Sequence, residues 1–199
     1  MKILDIFNFF ILEEQNLNLA NLLKIPCEEL LKKCNSENFY KNGITTYFQK
    51  DKNLSDFNLW KDNNFALFKN YVLSLSYQYM LQLNLNKKYQ PIITNMWISK
   101  MNKNGLHEFH NHGKNNHICG NFFINCDEKS SFLIFQKPDY HNDIFIDLYY
   151  NDFNSYNSLE WKIKPEIGKI ILWKSNLTHG VRLNESHNRI SISFNVSII

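Results

Sequence analysis

The chain has 199 residues and a formal net charge of +3, made of 20 Lys and 2 Arg against 19 acidic residues. That length suits one well-buried core and is short for two, and no run of five like charges provides the stripe that nucleic acid binding uses. No apolar stretch approaches the ~20 residues that span a bilayer, and Asp5, Glu13 and Glu14, with no small-residue cleavage site, argue against a secretion signal, so a cytoplasmic protein with no nucleic acid or membrane partner is expected.

Residues 3–12 read as a buried strand. Residues 18–34 have a helical pattern, expected to be broken or offset at Pro26, with Glu28 and Glu29 opening the second piece. Asn42-Gly43 marks a turn. Ser55 is placed to cap a helical region in which Phe65, Phe68, Val72, Leu75 and Tyr79 recur at steps of three and four along one face. After Lys88 the texture changes to short β-rich runs separated by polar or Gly/Pro turns, at 92–101, 117–125, 131–136, 144–149, 159–163, 169–173, 179–183 and 189–198. Gly168 is read as the turn residue that opens one of them. Eight such runs predict a sandwich or barrel of jelly-roll type. The fold class is therefore α+β, mainly β, as a single domain over 1–199, with 1–88 a mostly helical buttress and 89–199 the β core.

Cys27, Cys34, Cys119 and Cys126 lie in pairs seven residues apart, which matches neither a zinc knuckle nor a redox pair; buried, reduced thiols are expected. With only two arginines among 22 cations, Arg182 and Arg189 stand out. A guanidinium offers a planar fork that Lys does not. Arg182 is read as a surface ion-pair partner.

Chemistry concentrates in His110-Asn111-His112, in Thr178-His179-Gly180 and, ten residues after that histidine, in Arg189-Ile190-Ser191. Alternate residues of a strand share a face, so His110 and His112 can present two imidazoles to one point. His179, opening a late strand, can complete a three-residue metal site. Glu108 shares the same extended face and stands as an alternative ligand. Arg189, with the Ser191 hydroxyl two residues on, can grip a dicarboxylate. His107, His117, His141 and His187 are read as non-ligands, Trp97 and Trp173 as core or pocket lining, and Asn195 as lining the pocket or satisfying buried backbone.

The strings from Gly105 to His112, Ile118 to Phe123, Pro165 to Ser175, His179-Gly-Val and Arg189 to Asn195 resemble those of the 2-oxoglutarate- and iron(II)-dependent oxygenases of marine bacteria and their phages. The likeness extends more loosely to Met96-Trp97, Gly43-Ile-Thr-Thr and Ile6-Phe7. It implies a double-stranded β-helix holding Fe(II) on His110, His112 and His179, with His112 and not Glu108 as second ligand. It implies Arg189 and Ser191 as the cosubstrate-binding pair for 2-oxoglutarate. The implied activity is a dioxygenase that hydroxylates an unidentified prime substrate with dioxygen and releases succinate and CO2. The wider superfamily has a carboxylate where this chain has His112, which leaves the metal one positive charge richer. Two other readings remain open at this point: a three-histidine dioxygenase that needs no cosubstrate, and a non-catalytic metal-binding β-barrel. Oligomeric state is open at this point; exposed edge strands in such barrels often pair, which makes a homodimer plausible.

Overall fold

The computed structural model describes residues 2, 9–34, 41–47, 56–113, 115–139 and 151–199. The elements in chain order are β1 (Leu12–Gln15), α1 (Leu17–Lys33), β2 (Lys41–Thr45), α2 (Ala66–Gln82), β3 (Pro91–His110), β4 (Ile118–Asn125), β5 (Leu133–Gln136), β6 (Glu160–Ile163), β7 (Lys169–Lys174), β8 (His179–Val181) and β9 (Arg189–Ile198). Two 3-10 turns, Asp56–Lys61 and Asn63–Phe65, lead into α2. The strand expected at 144–149, the Ser55 cap, Ile6-Phe7 and His141 lie outside the described residues. Of the strand expected at 3–12, the described part enters β1 only at Leu12.

Asn16 starts α1: its side-chain oxygen accepts from the Leu19 backbone N–H at 3.0 Å, and its own N–H donates to Gly168 O at 2.7 Å. The first contact fills one of the orphan donors at a helix N-terminus. Asn16→Ala is therefore expected to cost about 1 kcal/mol, read as a shift in the urea midpoint at unchanged slope. Contrary to expectation, α1 runs unbroken through Pro26. Leu19, Ala20, Leu23, Cys27 and Leu31 are buried and anchor one face, while Leu22 and Ile25 lie on the exposed one. Proline deprives the carbonyl four residues back of its partner. Here that carbonyl belongs to Leu22, on the side where water can reach it. In α2, Phe68, Val72, Leu75 and Tyr79 are all buried, as the spacing predicts, with Phe65 buried just ahead of them.

All strand pairings are antiparallel, in the order β1-β7-β4-β9-β3-β8-β5-β6, with β2 added on β3. Strand β3 belongs to both layers. Its first half pairs with β9 from Pro91 to Met101, and its end pairs with β8 at His107 and His110. This is a double-stranded β-helix with two helices against its larger sheet. Asn42-Gly43 is not a turn between elements but a bulge within β2. Asn42 has φ 58° and the register slips between Lys41 and Gly43, consistent with the tolerance of Asn for left-handed backbone.

The strands of the larger sheet are apolar on one face and mixed on the other. Ile190, Ile192, Phe194 and Val196 of β9 and Ile118, Phe122 and Ile124 of β4 join the helices in one core, where Phe68 stacks on Phe122 with centroids 5.0 Å apart. Period-2 alternation then sends Arg189, Ser191, Ser193 and Asn195, with Cys119, Asn121 and Phe123, to the opposite face, inside the barrel. Phe123, Phe135, Ile171 and Trp173 form a second apolar cluster there. At Gly120 a Cβ would come within 2.1 Å of the Phe194 ring, so only glycine lets that ring cross β4. Gly168 has φ 85° and donates its N–H to Phe123 O, the turn geometry expected of it before β7.

Candidate metal centre

His110 closes β3 and faces His179 of β8 across a register pair. His112 lies just beyond the strand, fixed by its backbone N–H donating to Ser175 O at 2.9 Å. The ligand-capable nitrogens of His110, His112 and His179 all lie within 4.8 Å of one another. Each ring has its Nδ1 against an acceptor: His110 on Glu108 O at 2.8 Å, His179 on Leu177 O at 2.9 Å, His112 on Asn195 Oδ1 at 2.6 Å. A carbonyl oxygen only accepts, so Nδ1 carries the proton and Nε2 keeps its lone pair.

Two such nitrogens, His110 Nε2 and His112 Nε2, sit 3.3 Å apart. Neutral imidazoles place lone pairs against each other at that distance, and a shared cation relieves this. Ligands about 2.1 Å from one metal at right angles are about 3.0 Å apart. The donor set therefore fits a divalent metal, with outer partners of the kind that orient metal-bound histidines. Glu108 is exposed and outside the cluster; only its backbone carbonyl takes part. The register slip between His107 and His110 breaks the simple alternation that would have put Glu108 on the ligand face.

Burial keeps these rings uncharged. It is the largest cause for each: His112 is pushed down to about 4, with the neighbouring His110 adding to the effect and Asn195 opposing it. His179 is held well below its ordinary value, and His110 is lowered as well. His107 is pushed to about 3 by burial, then by His110, His112 and Arg189. Neutral imidazole is the form that binds a metal.

The cavity continues inward from the histidines past Trp97, Asn121 and Ser193 to Ser191 and Arg189, and no aspartate or glutamate is among its described lining residues. Arg189 is 4% exposed, donates from Nε to Ser131 O at 3.3 Å and lies over the Phe123 ring at 5.2 Å. Ser131 is in turn held by Asn184, whose Oδ1 accepts from its N–H at 3.0 Å. The buried indole nitrogens of Trp97 and Trp173 have no hydrogen-bond partner among the described residues. A cavity with a guanidinium, hydroxyls and indole donors, and no carboxylate among its described lining residues, suits an anion.

The structure thus gathers the sequence-predicted His110, His112, His179, Arg189 and Ser191 around one cavity. Arg182 instead pairs with Glu160 at 2.7 Å on the surface, as expected. His117 and His187 are exposed and away from the cluster. His107 lies closer than expected of a bystander, its ring centroid 4.2 Å from that of His110. Asn195 has a more specific place than pocket lining, as the acceptor of His112 Nδ1–H. Asn121, which the sequence offers only as a member of the string from Ile118 to Phe123, shares its inward parity with Cys119. Cys27, Cys34 and Cys119 are buried and Cys126 is partly buried, each outside any disulfide. Asn195→Ala is expected to lower metal affinity 10- to 100-fold, the usual loss when an outer partner is removed, measured by competition with a chelating dye.

Residues 95–195 match the family described as "Putative 2OG-Fe(II) oxygenase". No curated protein sequence matches the chain. Among solved structures, a Pseudomonas putida prolyl-4-hydroxylase aligns at TM-score 0.62 and 10% identity, over 94% of this chain and 91% of that one. HygX from Streptomyces hygroscopicus, solved with nickel, 2-oxoglutarate and hygromycin B, aligns at TM-score 0.60 and 8% identity over 95% and 83%. A Burkholderia pseudomallei oxidoreductase of the 2OG-Fe(II) oxygenase family aligns at TM-score 0.58 and 11% identity over 94% and 84%. At these identities the likeness concerns the fold.

Proposed function

This chain belongs to the 2OG-Fe(II) oxygenase family, an oxidoreductase whose cofactors are iron(II) and 2-oxoglutarate, and we propose that it hydroxylates a substrate while 2-oxoglutarate and dioxygen become succinate and CO2. The observation that carries this reading is a single cavity with three convergent imidazoles at one end and the buried Arg189 farther in. Bound iron(II) would supply dioxygen activation and a chelating centre for the 2-oxo acid.

The residues supply the rest. His110, His112 and His179 would hold the metal through Nε2, while Glu108 O, Asn195 Oδ1 and Leu177 O keep each ring in the tautomer that leaves Nε2 unprotonated. Three neutral ligands bring no negative charge, so the dianionic cosubstrate provides the compensation that a carboxylate ligand gives in the wider superfamily. Arg189 grips the far carboxylate with its planar fork and Ser191 adds a hydroxyl. Trp97, with its ring centroid 6.2 Å from that of His112, and Trp173, edge-on to His179 at 4.8 Å, wall the centre and exclude bulk water. The whole chain works as one catalytic domain in the cytoplasm. A homodimer is the expected assembly, measurable by light scattering. No helix among the described residues is long and apolar enough to cross a membrane.

An anaerobic titration with iron(II) and then 2-oxoglutarate tests the reading. A visible charge-transfer band that needs both additions and vanishes in His112→Ala is the expected result. Tight iron binding with no band, and oxygen uptake indifferent to 2-oxoglutarate, would replace it with the cosubstrate-free three-histidine dioxygenase. Metal that stabilises the fold while oxygen uptake stays at background would leave only a metal-binding barrel.

A further inference from the structure

We propose that Asn121 is a cosubstrate-binding residue, donating its carboxamide NH2 to the far carboxylate of 2-oxoglutarate beside Arg189; the inference rests on the reading of the cavity given above. Asn121 lies on β4 opposite Ser193 of β9 and is 8% exposed. Its Nδ2 is 3.0 Å from Ser193 Oγ and 3.3 Å from Ser191 Oγ. Its Oδ1 is buried with no hydrogen-bond partner among the described residues.

A buried acceptor left unsatisfied is costly, and the two ends of a carboxamide are nearly the same size. Turned over about its last bond, the group has Oδ1 accepting from both serine hydroxyls while its NH2 faces the cavity. Two donors then need an acceptor. None of the described lining residues is a carboxylate, and an anionic ligand seated on Arg189 supplies that acceptor. Because the carboxamide reaches Ser191, two residues along the same strand face from Arg189, the ligand group it meets is the carboxylate that Arg189 holds. Ser191 and Ser193 then act partly as positioning residues that fix the amide.

The test is calorimetric binding of 2-oxoglutarate and of 2-oxopentanoate, which has the same 2-oxo acid end and lacks the far carboxylate, to the Mn(II)-loaded protein and its variants. Asn121→Val is expected to weaken 2-oxoglutarate binding about tenfold or more and to leave 2-oxopentanoate unchanged. Asn121→Asp is expected to lose more, because its charge repels the ligand. Asn121→Ser, which keeps a donor, recovers part of the affinity and serves if the valine variant folds poorly. Unchanged 2-oxoglutarate affinity in Asn121→Val, or equal loss of both ligands, would overturn the role of Asn121 while leaving that of Arg189 standing. A wild-type protein that does not prefer 2-oxoglutarate to 2-oxopentanoate would overturn the reading of the cavity itself, and the role of Asn121 with it.

Discussion

Replacing Arg189 with alanine is expected to weaken 2-oxoglutarate binding on the order of 100-fold or more. The side chain is 4% exposed in a cavity with no carboxylate among its described lining residues, so a bound dicarboxylate meets it out of water. A hydrogen bond to a charged group contributes about 1.5–3 kcal/mol, and a guanidinium fork makes two, which at about 1.4 kcal/mol per tenfold gives that factor. Arg189→Lys keeps the charge and loses the fork, so an intermediate loss of roughly tenfold is expected. Calorimetry on the Mn(II)-loaded proteins measures both. Alanine also leaves Ser131 O without its donor and the Phe123 ring uncovered, so the variant should melt earlier. Metal binding at the histidines should survive, which separates a lost ligand contact from a lost fold. Wild-type affinity for 2-oxoglutarate in Arg189→Ala would remove Arg189 from the cosubstrate site.

The second large effect is acid lability of the metal-free protein. Burial lowers His107 to about 3 and His112 to about 4 from 6.5, and lowers His110 and His179 too. The unfolded chain, whose histidines titrate near 6.5, takes up protons that the folded cluster refuses. Stability is thus whole above about pH 6.5 and falls as pH drops toward the folded values. The slope is on the order of 1.4 kcal/mol per pH unit for each such histidine. Urea midpoints at pH 7.5, 6.5, 5.5 and 4.5 measure it. His107→Phe, which removes one of these groups while keeping all three proposed ligands in the sequence, should flatten the curve. Added Mn(II) should raise the midpoint at pH 7.5, because a metal bound only by the folded state stabilises it. A flat profile between pH 6.5 and 4.5 would contradict the burial of the cluster.

Much of the fold was legible because it rests on local periodicity. The aromatic face from Phe65 to Tyr79 is buried as its spacing predicts. Seven of the eight β-rich runs after Lys88 become strands with ends shifted by a few residues, β3 more than the rest; the eighth, at 144–149, lies outside the described residues. Pro26 and Asn42-Gly43 misled because each was read as a break. Tertiary contacts decide such residues: buried side chains hold α1 together across the proline, and pairing to β3 absorbs the extra residue as a bulge.

The candidate site divides in the same way. Sequence alone could mark His110 and His112 by their spacing of two, and Arg189 and Ser191 by the same rule, because alternation along a strand is a property of the backbone itself. It could not rank Glu108 against His112 without the family resemblance. Strand register sets the two apart in space: it slips between His107 and His110 and leaves Glu108 in solvent, while His112 joins His110 and His179. Register also brings His179 opposite His110, and barrel closure sets Asn195 against His112 from 83 residues away. Asn121 meets Ser191 and Ser193 because β4 lies beside β9. Periodicity determines which face a side chain takes. Only the pairing of distant strands, fixed by the shared burial of their apolar faces, determines what it meets there.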